Sequence, residues 1–571
     1  MKLLDGLLLA GLILLAGCQE SASGTDSGSQ SQADIDSSAK PEGVQVVLTG
    51  RIEYQDRIYG SSGFVNGNTP FKPARRVVLD LIDKEDQLLA TTLTDDNGFY
   101  EFPDITTADY SLRVLAQTET ESGHVISVHN HSGSQYAVSQ SITVTAESSQ
   151  ADIRMMLDDR VAGIFNMMDV MLSGYNFVAA YSGDTVAMQD LKLFWQYGNR
   201  TGTYTCFSQT GGSCTQGAGI YVLSDPTGDT DDFDDDVLWH EFAHYCEYSL
   251  GLSESPGGYH TLSSNDLDLR LTWSEGHASY LQIAIKNWLR ENDPQRLSIP
   301  GYLETSYYVD NNNQAGYPAL VVNYASLSGS AYRYASNEAA VSRVLWLLLQ
   351  RADVASIWES FSVYLTVNDS ADNLEAFWDG LLQAQSPSSI QLSQWQAALA
   401  DRSIFYQQDA YEPDNDSLSA ALLNCHFSGQ TLPWSCVSGR QHYLYRNDQL
   451  PDQDMIAVQL SGGHRYRIFT HELRNGADTL ITLLDQSGNV LIDADSHPIR
   501  NDDATDCELA PQGCYPLHDG SHFRSEVLYS PSFNETVYVK IETTDAVYLD
   551  PSLYGYIGRY GSYQLSVEMV E

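Results

Sequence analysis

The sequence predicts a multidomain chain: a β-sandwich, then an α+β body, then a return to strands. Three observations predict it. From Val44 to about Leu157, short alternating runs are separated by turn residues, the spacing of a small sandwich. From about Asp158 to Asp409, apolar residues recur at helical intervals. After Asp409, short β-rich runs resume. A chain of 571 residues, 42% apolar, is too long for one core and too apolar for wholesale disorder.

Charge narrows the function classes. With 30 basic against 75 acidic side chains, the net charge of −45 repels phosphate backbones and anionic lipid, so nucleic-acid binding and a polybasic membrane patch are excluded. Of the acids, 50 are Asp and 25 Glu, a bias that suits turns, helix caps and oxygen-ligand Ca²⁺ sites.

The first element is the apolar run Leu7–Ala16 behind Met1 and Lys2, long enough for a signal-peptide core and too short to span a bilayer. It closes on Leu15-Ala16-Gly17-Cys18, which resembles a bacterial lipobox. That resemblance implies removal of residues 1–17 and lipidation of Cys18, and Gln19 after the cysteine implies the outer membrane. The expected location is periplasmic or cell-surface facing, or secreted. Residues 18–40 are Ser, Gln, Gly and Asp with almost nothing to bury, a flexible tether.

Strands are expected at Val44–Ile52, Arg76–Ile82, Leu88–Thr94, Phe99–Phe102, Tyr110–Ala116, Ala137–Thr145 and Ala151–Leu157. Leu89 to Phe102, with Asp95-Asp96-Asn97-Gly98 at its centre, resembles a carboxypeptidase regulatory-like domain, placed at 41–157. Helices are expected at Val237–Leu250, Trp273–Leu289, Glu338–Leu349, Ile357–Leu365 and Leu374–Ala384, with strands at Lys192–Gln196 and Ile220–Leu223, giving an α+β domain at 158–410. Asp409 to Asp416, then Asp452-Gln453-Asp454 and Tyr560 to Val567, resemble a pre-peptidase C-terminal domain, which implies a β-sandwich over 411–571.

Six of the eight cysteines form close pairs, Cys206/Cys214, Cys425/Cys436 and Cys507/Cys514. In an oxidising compartment each is a candidate disulfide, and Cys246 is left as a buried thiol.

The chemistry rests on His240-Glu241-Phe242-Ala243-His244, an H-E-x-x-H string in a run with helical periodicity behind Asp234, Asp235 and Asp236. Those acids favour a helix N-terminus. On a helix, His240 and His244 share a face and can bind one Zn²⁺, with Glu241 toward the metal's water. Three sources of a third ligand compete. Glu247 is on the same face but about 10 Å along the axis from His240. A metzincin pattern needs Gly and His where Glu247 and Leu250 stand, and is excluded. Glu275, in Trp273-Ser274-Glu275-Gly276-His277-Ala278, opens a second helix, and this resembles the gluzincin arrangement, in which small residues such as Gly276 and Ala278 pack the second helix against the first.

The resemblance implies a zinc metallopeptidase with His240, His244 and Glu275 as ligands and Glu241 as general base. It also implies a Tyr or His donor to the transition state, for which Tyr334 is taken, with Tyr332 and His260 as alternatives. Asp266 and Asp268 are candidates to orient a ligand imidazole. The strand Gly217–Leu223 is expected to line the cleft and pair with an extended peptide. It carries no glutamate at Gly219-Ile220-Tyr221, where aminopeptidases of this branch bind a free amine, so an endopeptidase acting on protein or peptide substrates is expected. The alternatives are a zinc exopeptidase, including a carboxypeptidase using His244 and Glu247, and a non-catalytic adhesion lipoprotein. Asp229 to Asp236 is a candidate Ca²⁺ segment without EF-hand spacing, or a capping and solvated run. The sequence carries no signal for oligomeric state.

Overall fold

The computed structural model describes residues 44–570, apart from 148, 183–187, 207–215, 266, 300–304, 314–317, 368–371, 426–433, 440, 448–449, 503–522 and 544–559. The expected signal peptide, the tether, Cys18, Cys214, Cys507, Cys514 and Asp266 lie outside the described residues. The chain divides into Met1–Val44 and Gln45–Glu571, and the architecture is that of the second unit. It mixes several sheets with helices, and no sheet among the described residues closes into a barrel.

The strands before the first helix are β1 (Gln45–Gln55), β2 (Tyr59–Gly60), β3 (Gly63–Phe64), β4 (Phe71–Pro73), β5 (Val77–Ile82), β6 (Leu88–Leu93), β7 (Phe99–Thr106), β8 (Ala108–Glu119), β9 (Val125–His129), β10 (Ala137–Val144) and β11 (Ile153–Met155). Alternation sets their faces: in β8, Tyr110, Leu112, Val114, Ala116 and Thr118 are buried and their neighbours are not. β1 pairs with β7 along its first half and with β4 and β11 along its second.

The other sheet continues past this stretch. With β12 (Leu191–Trp195), β13 (Tyr204–Cys206) and β14 (Gly219–Val222) it runs β13-β14-β12-β9-β8-β5-β6. β12 lies parallel to β9, Leu191 opposite Ile126 and Phe194 opposite His129, so the sheet crosses the expected 157/158 boundary unbroken. The core is continuous as well: Leu79, Val114 and Val128 share one cluster with Met171, Trp239 and Ala284.

Helices α1 (Ala162–Ser182), α2 (Asp235–Leu250), α3 (Leu269–Asn292) and α4 (Glu338–Leu349) build the body. α1 is absent from the sequence expectation because Ile164, Phe165, Met167, Met168, Val170, Met171 and Leu172 are all buried, leaving no polar stripe to mark a helical period. It approaches α2 at Gly174, where a Cβ would lie 2.6 Å from the Phe242 ring. Gly251, at φ 75°, ends α2 and returns its N–H to the Glu247 and Tyr248 carbonyls. The expected helix at Ile357–Leu365 is instead interrupted: Val354–Glu359 is α-helical and Ser360–Tyr364 is a π-turn. Strands β15 (Tyr307–Asn311) and β16 (Pro318–Asn323) form a hairpin that the sequence reading did not include.

Buried charges join the all-β stretch to the helices. Arg75, just after β4, pairs with Asp169 of α1, which also accepts from Tyr54 of β1, while Lys72 and Asp56 pair at 2.8 Å within the all-β stretch. Lys286 of α3 lies 2.8 Å from Asp236 of α2, both fully enclosed, and Tyr59 of β2 donates to the same carboxylate at 2.9 Å. Such pairs fix a unique arrangement more than they add net stability, since each ion has lost its water.

Beyond residue 411 two five-stranded sheets share a core that includes Val458, Val539, Ile468 and Leu565. Cys425 and Cys436 form a disulfide, as expected. Cys206 is disulfide-bonded, and Cys246 is a buried free thiol. No helix among the described residues is long and apolar enough to cross a membrane.

Candidate metal centre

The site forms where α2 and α3 cross. His240 and His244 stand one turn apart on α2, and Glu275 faces them from the first turns of α3. His240 Nε2 is 3.2 Å from His244 Nε2 and 3.2 Å from Glu275 Oε2, and His244 Nε2 is 3.5 Å from the same oxygen. Ligands about 2.0–2.1 Å from a tetrahedral zinc lie roughly 3.3–3.4 Å apart. These three donors therefore outline one face of a zinc tetrahedron, and two imidazoles with one carboxylate are zinc's ligand chemistry. The residues fit the ion.

Each ring is held from behind. His244 Nδ1 is 3.1 Å from Ser274 Oγ, Ser274 donates to Glu247 Oε2 at 2.6 Å, and Glu247 Oε1 is 3.1 Å from His277 Nδ1. His240 Nδ1 is 3.3 Å from Ser279 Oγ. A proton on each Nδ1, donated to these hydroxyls, leaves both Nε2 lone pairs for a metal. Glu247 thus buttresses His244 and contributes nothing to the donor triangle. His277 is buried, stacked on Phe361 at 4.0 Å. Asp268 serves α3 itself, accepting from the Arg270 backbone as the helix N-cap.

The electrostatics suit a cation. Burial acts against charge on His244, but Glu275 and Glu247 outweigh it and hold its pKa well above 6.5. Burial likewise opposes a charged Glu275, and the two imidazoles overcome it, keeping the carboxyl well below 4.5. Glu241 is 8% exposed, and Thr205 of β13 donates to its Oε2 at 2.7 Å.

A cleft of about 450 Å³ opens on His240 and Glu275, lined also by His260, Tyr308, Tyr324, Tyr332 and Glu338. His260 Nε2 is 3.6 Å from Glu275 Oε1, and its Nδ1 is 2.6 Å from Glu338 Oε2, a bond that raises the imidazole's pKa. Tyr334 does not line the cleft. Its backbone is left-handed (φ 73°) and the Arg474 guanidinium lies over its ring.

Two local expectations are corrected. Gly276 meets α4 most closely: a Cβ there would lie 2.6 Å from Val341. β14 has no free edge for a peptide, because β12 and β13 occupy its two sides, and among the described residues β13 is the last strand of the sheet. Thr205 and Tyr308, whose ring lies 5.8 Å from His240, were not found from sequence, since their short strands carry no pattern. Ser279 was legible in principle, four residues after Glu275 on the same helix face.

The acidic run divides among several tasks. Asp234 occupies the N-cap position of α2 without a side-chain cap bond, accepting instead from the backbone and side chain of Asn311. Asp235 accepts from Asn166, and Asp236 pairs with Lys286.

No family model and no curated protein matches the chain. Among solved structures, a Pseudomonas aeruginosa protein described as a "putative carbohydrate binding protein" is similar at 13% identity over 21% of this chain and 92% of that chain, with a TM-score of 0.12. At that score the likeness carries no inference.

Proposed function

We propose that the chain is a zinc-dependent endopeptidase of gluzincin type, lipid-anchored at Cys18 to the bacterial outer membrane. In this reading a catalytic body at 158–410 shares its sheet and core with the strands of 41–157 and is followed by a β-sandwich at 411–571. The observation that carries the proposal is the donor triangle of His240, His244 and Glu275, with Glu241 next to His240 in the chain and a cleft that opens on His240 and Glu275.

A zinc ion in this site would supply an acidified water and polarise a carbonyl. Glu241, fixed by Thr205, takes a proton from the attacking water and passes it to the leaving amine. In this reading His260 and Tyr332, which line the cleft, donate to the oxygen on which charge develops. In this reading an extended peptide docks by strand addition at β13, the last strand of its sheet among the described residues. The absence of a glutamate at Gly219-Ile220-Tyr221 favours cleavage within chains over removal of N-terminal residues.

The test is Glu241→Gln, assayed on a quenched protein substrate. Turnover is expected to fall by about 10²–10⁴-fold with zinc content unchanged. Retained turnover would contradict the assignment.

A further inference from the structure

We propose that Asp229, Asp231, Asp234 and Asp310 hold a calcium ion that ties the start of α2 to the strands beside it. One carboxylate oxygen from each lies within 4.8 Å of all the others. That is about twice a Ca–O distance of roughly 2.4 Å, the diameter of a calcium coordination sphere. A set made only of carboxylates suits a hard cation, and Ca²⁺ accepts such an enclosed set more readily than Mg²⁺, which keeps its waters.

This cluster is not a solvated acidic face. Asp231 is 4% exposed and Asp234 fully enclosed. Oδ1 of Asp229, Asp231 and Asp310 are each buried without a hydrogen-bond partner. Thr203 donates to the other oxygen of Asp231, leaving Oδ1 enclosed among carboxylates whose charges it feels. Among the described residues none of the four forms an ion pair. Arg57 acts on Asp234 only through its field, since its guanidinium donates to Asn313 at 3.0 Å and covers Phe64. Burial and mutual repulsion push Asp231 and Asp234 well above the carboxylate range and Asp310 up to about 7, and a dication would reverse both effects.

The four ligands come from pieces that frame the zinc-site residues. Asp229 and Asp231 lie in the connection from β14 to α2, and Asp234 immediately precedes α2. Asp310 is in β15, two residues after the Tyr308 that faces His240. Thr203, bonded to Asp231, is two residues before the Thr205 that holds Glu241. Nothing in the calcium assignment depends on the peptidase reading.

The test is calorimetric titration of Ca²⁺ into the full-length chain in calcium-free buffer, together with thermal unfolding with and without Ca²⁺. It compares wild type, Asp310→Asn and Asp229→Asn, with Asp452→Asn in the separate acidic group Glu412, Asp452 and Asp454 as a control. Wild type and the control should retain one equivalent that each cluster variant loses or binds at least tenfold more weakly. The Ca²⁺-dependent rise in unfolding temperature should follow that equivalent. In calcium-free buffer the cluster variants should unfold no lower than wild type, because each removes a repelling charge. Equal stoichiometry and equal Ca²⁺ shifts in all four proteins would overturn the site. So would cluster variants that are less stable in both buffers but keep the shift, which would leave these acids a purely structural role. An equal shift with Mg²⁺ would overturn the assignment to calcium.

Discussion

His244 is oriented by a relay that never touches the cleft: ring to Ser274, Ser274 to Glu247, Glu247 to His277. A carboxylate at the end of such a relay raises the basicity of the imidazole and fixes its tautomer. Glu247→Gln should therefore weaken zinc binding by about 10–100-fold, read by competition with a chromophoric chelator, while turnover per bound zinc changes little. Unchanged affinity would show that Glu247 only fills space. The candidate ligands His240 and His244 were legible in the sequence, because i, i+4 spacing is a helix property that needs no tertiary information, whereas Glu275 came only from the resemblance. The support was not legible: Ser274, Glu247 and Thr205 meet their partners only when α2, α3 and β13 are brought together. Tyr334 shows the same limit, since its place beneath Arg474 comes from a segment more than a hundred residues away.

Among elements, the packing of α3 on α4 decides where Glu275 stands. Gly276 sits in that contact, with Val341 and the Glu338 carbonyl 2.6 and 2.9 Å from where a Cβ would be. Gly276→Ala should destabilise the protein by about 1–3 kcal/mol through overpacking, despite alanine's better helix propensity, as measured by denaturant unfolding. A stabilised variant would mean the helices yield freely there. α2, α3 and α4 were readable because polar residues recur among their apolar ones in the sequence, although all three helices are buried over most of their length. α1 was not, because its run is mostly apolar and its few polar residues, Asn166, Asp169 and Ser173, are buried too, and β13 and β15 are too short for alternation to register.

Across the whole molecule, the division into independent blocks read from composition gives way to one sheet and one core running from β6 to β13 and into the helices. Composition changes at about residue 158, but strand pairing between β9 and β12 does not follow composition. The acidic run at 229–236 shows the same gap between pattern and fold. As a string it suggests caps and solvent, yet folding sends Asp236 to Lys286, Asp235 to Asn166 and Asp234 to Asn311. The central claim is that His240, His244 and Glu275 form one zinc site. Metal content by mass spectrometry, on full-length wild type and Glu275→Ala after exposure to limiting zinc, tests it most directly. One tightly held equivalent in wild type and its loss in the variant is the predicted result. No zinc in the wild type, or an undiminished equivalent in the variant, would contradict the claim.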